Sequence, residues 1–247
     1  MNIFLSINDV IFGNDIVDLK DSDTSLEHLN LRFINKICTE QEKKLFYPLN
    51  DKNQIKNLYI LWKIWSLKES TYKSISRIYY IPNFRYKDFI VHKNFQYTIY
   101  KDYLLNNFIY CNKDFIFTLT YYPSKMNLSH SPIEDYYFVS WIKKLKIECI
   151  KQESHSLQLR KYINNTFKEI FKTKTKIYRK FDLRQKIYMP PYIYFKKQFY
   201  PISLSHHGRY LVFTIPVKKK YIDFIKNVYK NKSTKTYPKH FIILESD

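Results

Sequence analysis

Apolar positions along this chain change period more than once, and each change marks a new block of structure. Over residues 11–19 they alternate imperfectly, as in a strand, with Asp15, Val17 and Leu19 on one face and Asn14, Ile16 and Asp18 on the other. An acid on the apolar face is out of place there. A short helix is expected over 25–37. Thr39 followed by Glu42 has the spacing of a capping box, opening a second helix that runs toward Phe46 and stops before Pro48. The strongest helical period lies within 57–77, where Leu58, Leu61, Trp62, Trp65, Tyr72 and Ile75 recur at intervals of three and four.

Beyond Pro82 the pattern shifts to short aromatic and β-branched runs, which predict strands at 95–100, 114–121 and 136–142. A helix follows over 156–172, its apolar stripe formed by Leu159, Tyr162, Ile163, Phe167, Ile170 and Phe171. Strands return at 192–195 after Pro190 and Pro191. Another runs over 202–205 and turns through His206, His207 and Gly208 into 210–215. An amphipathic helix at 221–229 and a last strand at 241–244 complete an α+β chain of two halves meeting near 85–90.

A length of 247 residues allows one large domain or two small ones. Forty-two basic against 22 acidic residues give a net charge of +20, a field that favours polyanions and acidic partners. The lysines are scattered, and Lys, Asn, Ile and Tyr are abundant together, as A/T-biased codons would make them. The charge is therefore supporting evidence only. Cys38, Cys111 and Cys149 are far apart and lack C-x-x-C spacing, which argues against a disulfide framework or zinc site and for free thiols in a reducing compartment. The first residues lack the basic start of a signal peptide, and no run approaches the roughly 18 apolar residues of a membrane helix. A soluble, cytoplasmic protein without membrane association is expected.

Only two glycines occur, Gly13 and Gly208, and each sits in a compact polar motif. Glycine is kept where the backbone needs freedom or something approaches it closely. The first motif is Gly13-Asn14-Asp15-Ile16. The second is Ser203-Leu204-Ser205-His206, where Gly208 suits a hairpin turn that requires no chemical role of His207 or Arg209. On the long helix, Trp65-Ser66-Leu67-Lys68-Glu69-Ser70-Thr71-Tyr72-Lys73 places Glu69 and Lys73 one turn apart. Such a pair is most often a solvated ion pair worth a few tenths of a kcal/mol. A tryptophan one turn earlier and an adjacent lysine make this one a candidate for chemistry.

Together these segments resemble the 4'-phosphopantetheinyl transferases, whose signature joins Gly-x-Asp-Ile to a downstream Trp-x-x-Lys-Glu-x-x-x-Lys helix. Arg32-Phe33 ahead of Thr39 to Glu42, and the Ser-x-Ser-His at 203–206, match two further elements of that family. The resemblance implies transfer of the phosphopantetheine arm of coenzyme A to a serine of an apo acyl or peptidyl carrier protein, with release of adenosine 3',5'-bisphosphate. It implies Mg²⁺ held by Asp15 and Glu69, since a hard cation between carboxylates suits charge developing on phosphate oxygens. Glu69, or a water beside it, would take the serine proton. Lys73 and Lys68 would neutralise phosphate oxygens, and Ser205 with His206 would hold a phosphate at the nucleotide end of the cofactor. Arg32 is open between phosphate, carrier and salt bridge, and Asp18 falls outside the site.

The motif order resembles the small holo-acyl-carrier-protein synthases of fatty acid biosynthesis. The length resembles the two-lobed members, a fold of two similar α+β lobes packed as a pseudo-dimer. This implies lobes at 1–88 and 89–247, an active site between them, and a monomer. Val17 stands where larger members carry a second acid, and Met189-Pro190-Pro191 replaces their Gly-Lys-Pro, with Arg184 or Lys186 as substitutes for the missing contacts. The alternative is a basic, aromatic-rich RNA-binding protein. No RNA-binding signature is present, so nucleic acid is not an expected partner of the transferase.

Overall fold

The computed structural model describes residues 10–48, 51–78, 81, 83–122, 136–146, 154–183, 187–230 and 240–245. Arg184, Lys186 and Cys149 lie outside the described residues. Contacts divide the chain into two compact units, Ile11–Tyr122 and Pro123–Asp247 with Met1–Val10.

The first unit begins with β1 (Phe12–Asp18), buried along its whole length. The helix expected over 25–37 is shorter, because two 3-10 turns at Ser22–Thr24 and Leu26–His28 precede it and Asn30 caps α1 (Leu31–Ile37) by accepting from the Phe33 amide at 2.9 Å. The capping box is present: Thr39 accepts from the Glu42 amide and Glu42 from the Thr39 amide, opening the single turn α2 (Glu40–Lys43). α3 (Gln54–Ile75) has no glycine or proline in its 22 residues. Four strands follow, β2 (Phe89–Val91), β3 (Tyr97–Tyr100), β4 (Tyr103–Cys111) and β5 (Phe115–Tyr121).

These strands form one antiparallel sheet in the order β1-β5-β4-β3-β2. β1 pairs with β5 from Phe12 opposite Tyr121 to Asp18 opposite Phe115. The sequence division near residue 88 separates β2–β5 from β1; here all five strands share a sheet and a unit, whose end is at Tyr122. α3 buries apolar side chains in several directions. Leu61, Ile64 and Leu67 meet Ile34, Ile37 and Val91, Trp62 meets Val17 and Ile116, and Ile75 meets Phe89 and Leu105. At about 1.5–3 kcal/mol per fully buried large side chain, this packing fixes the helix on the sheet far more firmly than helix propensity could.

In the second unit, β6 (Tyr136–Lys144) precedes α4 (His155–Phe171). Short strands β7 (Lys176–Tyr178), β8 (Phe181–Asp182), β9 (Ile187–Tyr188), β10 (Tyr192–Phe195) and β11 (Gln198–Pro201) follow. The hairpin β12 (Ser203–His207) and β13 (Tyr210–Lys218), helix α5 (Ile222–Lys230) and β14 (His240–Glu245) complete it. The main sheet runs β12-β13-β6-β14, with a second sheet β11-β10-β7 and a separate β8-β9 pair. Leu159, Ile163, Phe167 and Ile170 of α4 share a core with Trp141, Phe213, Ile193 and Phe195. Gly208 makes the β12–β13 turn with φ of 50°, the left-handed conformation expected of it.

Candidate active site

Gly13 determines how closely α3 lies on β1. A Cβ at this position would stand 2.2 Å from the Ser70 carbonyl oxygen, 2.7 Å from the Ser74 amide nitrogen and 2.8 Å from Lys73 Cβ. Only a residue without a side chain admits the helix backbone at that distance. Two residues along the same face of β1 is Asp15, opposite Thr118 of β5. The helix that Gly13 admits therefore delivers its side chains directly onto Asp15.

Lys73 Nζ donates to Asp15 Oδ1 at 2.9 Å and to the Asn14 carbonyl at 3.0 Å. Ser66 Oγ donates to Asp15 Oδ2 at 3.0 Å. Thr118 Oγ1 lies 2.8 Å from Ser66 Oγ and 3.0 Å from the Ser66 carbonyl oxygen, so its single proton is shared between them. The Asp15 side chain is 9 % exposed and that of Lys73 27 %.

Glu69 completes the group. Burial pushes its carboxyl up to about 7, the Lys73 ammonium pulls it down, and the Asp15 carboxylate raises it further. Both neighbours are thus close enough to act on it. Trp65, four residues before Glu69 on α3, and Tyr72, three after it, belong to an aromatic cluster: Trp65 and Tyr86 have centroids 4.8 Å apart, Phe84 and Tyr86 4.5 Å, and Tyr72 and Phe84 4.9 Å. The Tyr86 hydroxyl is itself pushed up, by burial and then by the Glu69 charge.

Asp15, Glu69 and Lys73 therefore come together, but Lys68 does not join them. It is wholly buried, and its ammonium is bound by Glu42 at 2.7 Å and by the Ile37 carbonyl at 2.8 Å. The phosphate contact expected of Lys68 is replaced by an internal ion pair, because one residue along a helix turns the side chain by roughly 100°. Ser205 and His206 lie on β12 of the other unit, Ser205 buried opposite Val212 and His206 exposed opposite Leu211. The His206 ring lies 5.1 Å from that of His155, the first residue of α4.

Sequence reasoning missed Ser66, Thr118 and Tyr86. Ser66, Ser70 and Ser74 recur every four residues on α3, a polar stripe that is fully buried against Thr118 and Thr120. That spacing, beside the small residue Gly13, was the available signal.

Among the described residues no cluster of three or more His, Cys, Asp and Glu is placed to hold a metal. Asp15 and Glu69 nevertheless supply two hard oxygen ligands in mutual repulsion, which a divalent cation would relieve, so the donor set suits Mg²⁺. No described helix is long and apolar enough to cross a membrane.

Residues 11–120 match the family model of the 4'-phosphopantetheinyl transferase superfamily, nearly end to end with the first compact unit. No curated protein matches the chain, and no solved structure does.

Proposed function

We propose that the protein transfers the phosphopantetheine arm of coenzyme A to a serine of an apo carrier protein, a reading supported by the match of residues 11–120 to the family model of the 4'-phosphopantetheinyl transferase superfamily. The observation that carries this reading is the convergence of Asp15 from β1 with Glu69 and Lys73 from α3 inside the matched residues. The serine oxygen attacks the phosphorus that bears the pantetheine arm. A new P–O bond forms, the bond to the bridging pyrophosphate oxygen breaks, and adenosine 3',5'-bisphosphate leaves with that oxygen.

Glu69 receives the serine proton, directly or through a water it holds. Lys73 offers a compact positive charge to phosphate oxygens. Asp15, oriented by Ser66, joins Glu69 as the seat for Mg²⁺, which when bound would offset charge growing on the pyrophosphate. The Ser-x-Ser-His motif supports assigning Ser205 and His206 to a phosphate at the nucleotide end of coenzyme A. The order of motifs favours the holo-acyl-carrier-protein synthase type, acting in the cytoplasm in fatty acid biosynthesis, and the two-lobed length favours a monomer.

Incubation with coenzyme A, Mg²⁺ and a panel of apo carriers tests the reading. One carrier gains a phosphopantetheinyl group in a chelator-sensitive way; a panel left wholly unmodified overturns it. A second reading, polyanion binding, is favoured by one feature of the other unit. Tyr178 and Phe199 are 43 % and 45 % exposed, and their rings pack with Tyr194 beside exposed Lys176, Lys196 and Lys197. Salt-sensitive binding of single-stranded RNA, with no carrier modified, would select it.

A further inference from the structure

Lys68 precedes Glu69 on the same turn of α3, yet its side-chain partners lie outside the Asp15 cluster. Its side chain and that of Glu42 are both 0 % exposed and 2.7 Å apart. The Glu42 carboxylate gathers two backbone donors besides Lys68. The Thr39 amide meets Oε2 at 2.7 Å and the Val91 amide meets Oε1 at 2.7 Å. Lys68 Nζ adds a bond to the carbonyl of Ile37, the last residue of α1. One buried charge pair thus joins the end of α1, the start of α2, the middle of α3 and β2 at the sheet edge.

Stability alone does not call for such a pair, since well-packed apolar residues often serve as well or better where a buried ion pair stands. What a fully satisfied pair provides is direction. Its donors and acceptors have one arrangement in which all are met, and that arrangement fixes the rotation of the helix carrying Lys68. On another side of α3, Gly13 sets the depth of the helix, and Ser66 and Lys73 grip Asp15. Glu69 lies on the same stretch of helix as both attachments.

We infer that Lys68 is a positioning residue: through Glu42 it sets the rotation of α3 that brings Glu69 beside Asp15 and Lys73, and it does not contact the cofactor. The kinetic part of its test rests on the transferase reading, and the structural part does not.

The test is a double-mutant cycle of Lys68→Met, Glu42→Gln and both together, read by transfer kinetics and by amide hydrogen exchange over residues 66–73. Each single variant is expected to lower kcat by about tenfold or more, the scale of a slight misplacement, with KM for coenzyme A held within about threefold. The double variant is expected to be no worse than the poorer single, because the two side chains act as one unit. A Lys68→Met protein whose KM rises tenfold or more while kcat holds would make Lys68 a cofactor ligand and overturn the inference. So would strictly additive losses. Should Lys68→Met not fold, Glu42→Gln decides, because it removes the charge while keeping the side chain's shape and one oxygen for one of the two backbone amides, its NH2 facing the other: unchanged kcat there overturns the inference. If the wild-type protein modifies no carrier, the transferase reading fails alone. The pair is then judged by exchange, which must accelerate over 66–73 in each single variant; unchanged protection refutes it.

Discussion

Replacing Gly13 with alanine adds a single methyl group at the tightest contact between β1 and α3. That methyl would lie 2.2 Å from a backbone oxygen, 2.7 Å from a backbone nitrogen and 2.8 Å from a Cβ. None of these is the free end of a flexible side chain, so the helix must withdraw by about 1 Å to restore ordinary contact distances. Gly→Ala in a strand of ordinary backbone conformation should gain about 0.4–1 kcal/mol through the unfolded chain. Overpacking a buried contact costs about 1–3 kcal/mol, so the clash prevails and the variant is less stable. The same displacement parts Lys73 and Ser66 from Asp15, bonds of 2.9 and 3.0 Å that do not survive such a shift. Misplacing reactive groups by about 1 Å can cost on the order of 10² in rate. Urea unfolding read beside carrier-modification kinetics checks both outcomes. A Gly13→Ala protein as stable as wild type and active within a few fold would refute the claim that this glycine sets the site.

Four further outcomes are expected. Glu69→Gln should lower transfer by on the order of 10² or more, measured by single-turnover kinetics. Because the folded pKa of about 7 lies above the ordinary carboxyl value, Glu69 contributes stability that is full below about 4.5 and lost as pH rises through 7. In metal-free unfolding scans the wild type should therefore weaken relative to Glu69→Gln over that window, by at most about 3 kcal/mol, and parallel curves would contradict the assigned environment. Ser66→Ala removes the donor to Asp15 Oδ2 and a partner of Thr118, which should cost about 1–3 kcal/mol in denaturant titrations and lower kcat more than it raises KM. His206→Ala should weaken coenzyme A binding about tenfold or more by calorimetry while leaving dephospho-coenzyme A unchanged, as loss of a charged phosphate contact predicts.

Local signals were readable where the structure is decided locally. β1, the capping box at Thr39 and Glu42, α3 and the β12–β13 turn all follow from period, cap chemistry or a single glycine. β2 and β4 were not read, because β2 is only three residues long and β4 carries Asn106 and Asn107 at its centre, which blur the alternation. The placement of β2–β5 with β1 depends on pairing residues more than a hundred positions apart, such as Phe12 with Tyr121, and no local pattern encodes that. At the site, the motifs named Asp15, Glu69 and Lys73 as candidates, and the structure brings them near one another. Lys68 looked equally chemical because adjacency in sequence resembles adjacency in space, whereas its true partner, Glu42, lies 26 residues earlier. The serine stripe of α3 was not read, and the opposing threonines of β5 explain its burial.

The most direct test of the central claim compares the wild-type protein with the Asp15→Asn, Glu69→Gln double variant on one modifiable carrier, with coenzyme A and Mg²⁺, by intact-protein mass. The account predicts a carrier heavier by one phosphopantetheinyl group with the wild type and an unaltered carrier with a folded double variant. Equal modification by both proteins would contradict it.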